Sequence, residues 1–403
     1  MTVMALKRVA NIIAGQSPPS EAVSSYEQLG LPFLQGNAEF GDRHPIPVKR
    51  CDSAPKTCES GDVLLSVRAP VGALNIADRP YGIGRGLCAV RPVDIEQRFL
   101  WWLLHAYVET LSSLAVGSTY DAVTRDVVGG IQVSIPTVDQ QRAIADYLDA
   151  ETARIDALVN LEERRLDIAR ERFASMIELL VLGRAGVRIR ADESAGLLEP
   201  VPVSWSMRRN KTFMREIIEL STSGDEELLT VSHLTGVTPR SEKNVTMFLA
   251  DSNEGYKKVR RGDLVINTMW AWMGALGVSP CDGIVSPAYG VYRFTDVSLE
   301  PMYFDALFRS AAYVTEMTRY SKGVWSSRLR LYPESFLSLT SPMPPAVEQR
   351  RIVNDIRDAK QDMMALQELL SRSISLLVER RQALITAAAT GQLDIPEVVH
   401  GNH

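Results

Sequence analysis

The histidines are the first residues to test for chemistry, because a zinc site or a Ser-His-Asp triad needs imidazoles at a defined spacing. The chain has five of them, they are scattered, and we expect a metal or triad role for none. One lies in the apolar run WWLLHAY, where we expect a hydrogen-bonded core or interface residue, and two lie in a tail that we expect to be frayed. The five are His44, His105, His233, His400 and His403.

Other catalytic signatures are missing from the sequence. It contains no Gly-x-x-x-x-Gly-Lys-Ser/Thr loop, which argues against a P-loop ATPase. It contains no Asn-Pro-Pro-Phe/Tyr motif and no glycine-rich S-adenosylmethionine loop, which argues against an amino-methyltransferase. The cysteines show neither paired zinc spacing nor disulfide density, and this predicts a reducing, cytoplasmic location. They are Cys51, Cys58, Cys88 and Cys281.

The composition is that of a soluble globular protein of two or three domains, with 403 residues, 45% hydrophobic and 23% charged. The uncharged run Leu264 to Cys281 contains glycine and proline, so it predicts buried strands joined by tight turns rather than a membrane helix. We expect no signal peptide and no membrane partner. The net charge of −5 argues mildly against a nucleic-acid partner, but the acidic excess lies mainly in residues 136–199.

An internal repeat is the strongest signal in the chain. The segments that begin at Ile135 and Met343 match for nearly fifty positions, without a gap, at an offset of 208. The upstream blocks match more loosely, as in Gly61-Asp62 and Gly262-Asp263. Two helical units of equal length therefore follow two divergent globular units. Matched pairs include Pro136 with Pro344, Gln141 with Gln349, Arg142 with Arg350, and Gly183 with Gly391.

The two helical segments lack proline and internal glycine, begin after proline and end at glycine, as long helices do. Apolar residues recur every seven positions, which is typical of a coiled coil. We prefer an antiparallel pairing of the two helices; the alternative is that each packs on its own globular block. The predicted seam consists of Leu148, Ile155, Leu158, Leu166 and Met176 in the first helix, and Ile356, Met363, Leu366, Leu370, Ile374, Leu377 and Leu384 in the second.

The sequence thus predicts an α+β fold with an internal pseudo-twofold repeat: two globular β-rich domains separated by two long helices that form an antiparallel coiled coil. The predicted boundaries are 1–135 for the first domain, 136–183 for the first long helix, 184–199 for a linker, 200–341 for the second domain, 342–391 for the second helix and 392–403 for a C-terminal tail.

The Pro-x-x-x-x-Gln-Arg entry into each helix, the exit from Glu379 to Gly391 and the duplication resemble the specificity subunit of type I restriction–modification systems. Residues 31–36 and 61–86 look like a common variety of target recognition domain. In one departure, the first copy has Gln140 where the family usually has glutamate; Glu348 keeps the pattern.

The resemblance implies a non-catalytic DNA reader that binds a bipartite, asymmetric duplex target, with the helix length fixing the gap between half-sites. It implies docking of two methyltransferase subunits and, through them, two restriction (motor-nuclease) subunits. The complex would methylate adenine at N6 or cleave unmodified DNA. S-adenosylmethionine, ATP and magnesium would be bound by the partner subunits, and no cofactor by this chain.

Candidate DNA contacts are side chains on glycine-bearing loops that hydrogen-bond or stack on DNA. Each arginine has a competing interpretation as a solvated residue or a partner in an ion pair within its own domain. Trp270 and Trp272 also fit the core, because they lie in the uncharged run. The candidates are Arg43, Arg68, Arg85, Tyr120 and Arg125 in the first block, and Lys257, Lys258, Asn267, Trp270, Trp325, Ser326 and Arg328 in the second.

A second hypothesis comes from a different class of protein. The near-neutral globular blocks and the acidic pI also suit a coiled-coil scaffold whose two β-rich end domains bind a protein or carbohydrate ligand. Salt-dependent binding to DNA would distinguish the two hypotheses, because only a DNA reader releases counterions from phosphates.

Overall fold

The structure is a computed structural model, and it describes residues 2–25, 30–115, 122–185, 196–242, 252–323 and 329–396. The chain divides into two compact units. Unit 1 comprises residues 1–163 and 371–403, and unit 2 comprises residues 164–370. Each unit therefore contains one globular block and parts of both long helices.

The helices of the described residues include the two long ones that the repeat predicts, and both have 44 residues. The shorter helices lie between the strands and the start of each long helix. They are α1 (Gln97–Ala106), α2 (Val108–Ser113), α3 (Arg125–Gly130), α4 (Val138–Val181), α5 (Pro301–Phe308), α6 (Ala311–Tyr320), α7 (Pro333–Ser338) and α8 (Ala346–Ala389).

The strands of unit 1 form three sheets, of order β1-β11, β2-β10-β7-β8 and β3-β5-β4-β9-β6. Nearly all of β7 and β10 is buried, because one face of these strands packs on α1 and the other face packs on the five-stranded sheet. Strands that are buried on both faces do not alternate between apolar and polar residues. The strands are β1 (Thr2–Ala5), β2 (Ala10–Ala14), β3 (Val23–Ser25), β4 (Leu31–Leu34), β5 (Lys49–Cys51), β6 (Thr57–Cys58), β7 (Val63–Ser66), β8 (Leu74–Ile76), β9 (Tyr81–Ile83), β10 (Leu87–Pro92) and β11 (Gln132–Ile135).

Unit 2 repeats two of these sheets in the same order, as β12-β21 and β13-β20-β17-β18, and adds the pairs β14-β15 and β16-β19. The predicted duplication therefore extends to the framework of the globular blocks. The strands are β12 (Ser206–Arg209), β13 (Met214–Glu216), β14 (Leu229–Ser232), β15 (Gly236–Pro239), β16 (Lys257–Val259), β17 (Leu264–Ile266), β18 (Leu276–Val278), β19 (Gly283–Val285), β20 (Gly290–Phe294) and β21 (Thr340–Met343).

The glutamine of the Pro-x-x-x-x-Gln-Arg motif joins each long helix to its globular block. Gln141 is buried; its side chain donates to the carbonyl oxygen of Pro136 (3.0 Å) and accepts from the backbone N–H of Glu96 (2.7 Å), at the start of α1. Gln349 makes the same two bonds, to Pro344 (2.9 Å) and from Glu300 (2.9 Å). An amide carries both a donor and an acceptor, so this position suits glutamine.

The two long helices pack antiparallel, as predicted. In unit 1, Ile144 and Leu148 near the start of α4 share a core with Ile385 and Ala388 near the end of α8. In unit 2, residues near the end of α4, including Val181, share a core with residues near the start of α8, including Ile352. The helix ends therefore also pack on their own globular blocks. Both predicted alternatives, pairing of the two helices and packing of each helix on its block, are present together.

Two of the predicted seam residues are exposed instead. Leu158 is 48% exposed. It lies three residues after the heptad position Ile155, whereas the buried residues Thr152 and Leu166 each lie four residues after a heptad position, on the face that packs inward. Leu366 is 36% exposed and lines a groove of about 690 Å³ between α4 and α8 in unit 2. The other predicted seam residues are buried or half-buried: Leu148, Ile155, Leu166, Met176, Ile356, Met363, Leu370, Ile374, Leu377 and Leu384.

Candidate nucleic-acid interface

The loop of residues 67–73 joins β7 to β8 in unit 1 and displays one of the predicted arginines. Ser66 holds the loop closed, since its hydroxyl donates to the carbonyl of Pro70 (2.7 Å) and accepts from the N–H of Ala73 (2.9 Å). The side chain of Arg68 is exposed. It has no hydrogen-bond or ion-pair partner among the residues that the structure describes, so it is available to a phosphate or a base edge.

The loop of residues 267–275 occupies the same place in unit 2, between β17 and β18. Asn267 is buried, donates its amide to the hydroxyl of Tyr289 (3.2 Å) and accepts from the N–H of Met269 (3.3 Å), so it shapes the turn. Trp270 is 49% exposed. The core position considered for Trp270 is therefore wrong, because the turn between the two buried strands carries its side chain outward.

Both loops contact the chain segment that precedes a long helix. The N–H of Val123 donates to the carbonyl of Val67 (2.9 Å), and the N–H of Leu331 donates to the carbonyl of Thr268 (3.0 Å). The predicted residues Tyr120, Trp325, Ser326 and Arg328 lie outside the described residues, as do His400 and His403. In each unit, two segments that are distant in sequence therefore meet.

Arg43 and Arg85 are exposed on unit 1. The backbone carbonyl of Arg43 accepts from Ile76 (2.9 Å), and the backbone N–H of Arg85 donates to the hydroxyl of Ser17 (3.4 Å). Within the described part of the chain, neither guanidinium has a hydrogen-bond or ion-pair partner. The backbones are thus held by hydrogen bonds, while the guanidinium groups are exposed to solvent.

A basic cavity in unit 1 includes residues that sequence reasoning missed. Lys7, Arg8, Asn11 and Arg125 line a space of about 400 Å³ together with Asp126. The three cations are exposed, and their side chains lack an ion pair with any described residue. Lys7 and Arg8 stand more than a hundred residues before Arg125, so only the fold brings them together. The cavity can hold an anionic group such as a phosphate.

The two predicted lysines of unit 2 are engaged within the unit. Lys257 is mostly buried; its ammonium donates to the carbonyl of Tyr289 (2.8 Å) and lies 3.8 Å from a carboxylate oxygen of Glu216. Lys258 lies 3.2 Å from Glu226. The pKa of Glu226 is lowered, first by a hydrogen bond from Ser221 and then by Lys258. Both lysines therefore lie in ion pairs within the unit.

His105 is half-buried in unit 1, and among the described residues its buried Nε2 lacks the hydrogen bond that we expect from the sequence. Its ring packs edge-on against Trp101, with centroids 4.4 Å apart, and Nε2 has no partner among the described residues. Burial, with a smaller contribution from Arg381, lowers its pKa to about 4, so the ring is neutral at pH 7. No group of histidine, cysteine, aspartate and glutamate side chains in the described residues could hold a metal ion.

The sequence comparisons agree on one family. A profile described as type I restriction modification DNA specificity domain matches residues 1–166. The relative named as the type I restriction enzyme MjaX specificity subunit of Methanocaldococcus jannaschii is 34% identical over 179 residues, 44% of this chain and 41% of that protein. The MjaIX specificity subunit of the same organism is 26% identical over 159 residues, 36% of each chain. The chain thus spans less than half the length of these curated relatives.

Solved structures show the same fold over nearly the whole chain. One, described as a study of complex assembly and conformational transition of the type I R-M system, is 19% identical with a TM-score of 0.68, and covers 97% of this chain and 98% of that one. The HsdS subunit from Thermoanaerobacter tengcongensis is 18% identical with a TM-score of 0.53, and covers 97% of both. Residues 1–166 are therefore similar to the DNA specificity domain of type I restriction–modification systems, and the chain shares its fold with these two solved structures.

Proposed function

We propose that this chain is the DNA-recognition subunit of a type I restriction–modification complex, and that each unit reads one half of a bipartite, asymmetric duplex target. The observation that carries the proposal is the loop between matched strands, which occupies the same place in both units but carries Arg68 in one and Trp270 in the other. Two loops that occupy the same place in their units but carry different side chains suit two domains that recognise different half-sites.

Three exposed cations around the basic cavity support contact with the DNA backbone. Phosphate contacts supply affinity and register but carry no sequence information directly. The near-neutral charge of the globular blocks is compatible with this role, because Lys7, Arg8 and Arg125 are concentrated at one place on unit 1. The coiled-coil scaffold is less well supported, since neither the family match nor the exposed cations call for a protein or carbohydrate ligand.

The long helices supply a surface for the methyltransferase subunits. In unit 1, Leu158 and Leu161 are exposed one turn apart on α4. In unit 2, Leu366 and Leu369 are exposed one turn apart on α8, and Leu369 is 67% exposed. Exposed leucines at this spacing suit packing by a partner helix. We infer docking of two methyltransferase subunits and, through them, two restriction subunits.

The chemistry of the complex would then lie outside this chain. S-adenosylmethionine, ATP and magnesium would bind to the partner subunits, and the complex would methylate adenine at N6 or cleave unmodified DNA in the cytoplasm. No helix of the described residues is long and apolar enough to cross a membrane.

The test is co-expression of the chain with the neighbouring methyltransferase, followed by mapping of N6-methyladenine and by gel shift at several salt concentrations. We expect one bipartite motif, and affinity for its duplex that exceeds affinity for random duplex and falls steeply with salt. Absence of a motif together with salt-independent binding would contradict the proposal and favour the scaffold.

A further inference from the structure

Unit 2 carries an exposed pair of stacked tryptophans. Trp270 and Trp272 have ring centroids 6.4 Å apart and ring planes inclined by 16°. Trp270 is the exposed member, and Trp272 is half-buried behind it. A tryptophan that keeps half of its surface in water contributes less to the core than a buried one, and its exposed face is open to a ligand.

The pair is held rigidly in the turn. Ala271, between the two tryptophans, is fully buried, and the indole N–H of Trp272 donates to the carbonyl of Met269 (3.1 Å). The turn closes at Gly274, whose φ of +79° favours glycine. A rigid aromatic side chain loses little conformational entropy when it stacks on a ligand.

The position of the pair in the fold matches that of a predicted DNA contact. The tryptophans lie on the loop that corresponds to the Arg68 loop of unit 1, and both loops contact the segment before a long helix. The loop 267–275 has the sequence NTMWAWMGA and contains no charged residue. It cannot contact DNA through an ion pair, so the aromatic faces are what it offers to the bases.

We propose that Trp270, supported from behind by Trp272, stacks on the bases of duplex DNA as a wedge in the half-site that unit 2 reads. The inference rests on the proposed DNA-reading function. Stacking is insensitive to salt, whereas a contact from Arg68 to a phosphate releases a counterion. The two half-sites are therefore bound by different physical interactions.

The experiment uses the full chain in complex with its methyltransferase and a duplex of the methylation-mapped motif, with 2-aminopurine placed at successive positions of each half-site. Trp270→Ala should weaken binding roughly tenfold, the scale of one base–aromatic stack, and leave the slope of log K against log salt unchanged. Trp270→Phe, which keeps a stacking face, should stay within about threefold of the wild type. The wild type should change the 2-aminopurine fluorescence in one half-site, and Trp270→Ala should abolish that change.

Met302→Ala is the matched control, because Met302 is equally exposed at the start of α5 in the same unit, and it should bind like the wild type. Binding by Trp270→Ala within twofold of the wild type would overturn the wedge while leaving DNA reading intact. Loss of the methyltransferase from Trp270→Ala with unchanged affinity for DNA would also overturn it, and would assign the tryptophan to a protein contact. If the wild type does not prefer the motif over random duplex, the proposed function fails, and the wedge fails with it.

Discussion

Arg91 forms a two-pronged ion pair with Asp62: its Nε lies 2.9 Å from Oδ1 and its Nη2 lies 2.9 Å from Oδ2. Arg293 and Asp263 form the same pair in unit 2, at 2.8 and 2.7 Å. The aspartate raises the pKa of each arginine. Each pair joins an arginine in a central strand, β10 or β20, to an aspartate directly before the neighbouring strand, β7 or β17. The pairs therefore stabilise the two sheets that carry the loops 67–73 and 267–275.

The first prediction concerns this ion pair. Asp62 is buried and also accepts from the backbone N–H of Glu59 (2.8 Å), so Asp62→Asn should lower the free energy of unfolding by about 3 kcal/mol. Asp139→Asn is the control, because Asp139 pairs with Arg142 at an exposed position and should cost less than about 0.5 kcal/mol. The measurement is urea unfolding of both variants. Equal stabilities would show that the pair does not hold the sheet.

A second prediction concerns pH. The pKa of His105 falls from its usual 6.5 to about 4, so below pH 6.5 the unfolded chain binds a proton that the folded chain does not. Stability should therefore decrease as the pH falls from 6.5 to 4. Between pH 7 and pH 4.5, His105→Leu should remove roughly 2 kcal/mol of that decrease. The measurement is urea unfolding at pH 7 and pH 4.5.

His233→Leu is the control for the pH experiment, because His233 is exposed in unit 2 and should leave the pH dependence unchanged. An identical pH dependence in the wild type and His105→Leu would mean that the His105 ring does not contribute to the pH dependence of stability.

Helices that follow from a local sequence pattern were predictable. Contacts between residues that are far apart in the sequence were not. The heptad spacing predicted the helix pair, and the motif glutamines marked the start of each helix. The sequence could not show that Lys257 pairs with Glu216, because β13 and β16 are brought together only by the fold. It could not show the cavity of Lys7 and Arg125 for the same reason.

Trp270 and Leu158 show the limit of hydrophobicity as a guide to burial. An uncharged run predicts buried strands, but the turn between two strands must point some side chains outward, and here it exposes Trp270. A heptad pattern predicts a seam, but two apolar stripes on one helix leave open which one faces the other helix. Leu158 belongs to the exposed stripe.

The third prediction tests the basic cavity. Lys7→Gln with Arg8→Gln should reduce affinity for the motif duplex and for random duplex alike, and lower the salt slope by about 0.9 for each phosphate that is no longer neutralised. The methylated motif should stay the same. Lys49→Gln with Lys56→Gln removes the same charge from exposed positions of unit 1. An equal weakening of binding in the two double variants would mean that overall charge, rather than the cavity, binds the DNA.

The fourth prediction tests the docking surface. Leu161→Glu and Leu369→Glu place a charge on an exposed apolar position of α4 or α8. Each should leave the melting temperature nearly unchanged but prevent co-purification of a methyltransferase subunit, because a partner helix would have to bury the carboxylate. Leu234→Glu changes a similarly exposed leucine away from the helices and should have no effect. Full co-purification with both helix variants would place the docking surface elsewhere.

The last prediction tests whether each unit reads its own half-site. Arg68 is exposed on unit 1 and has no partner in the described residues, so Arg68→Ala should leave folding unchanged. Removing a bidentate arginine–guanine pair costs about 1–3 kcal/mol of discrimination, so one position of one half of the methylated motif should become degenerate while the other half is retained. Arg68→Lys should restore affinity but not selectivity, because an ammonium binds a phosphate as a point charge and lacks the planar fork. Methylation mapping of the three proteins is the measurement. Relaxation of both halves at once would show that the loop positions the whole complex rather than reading one half-site.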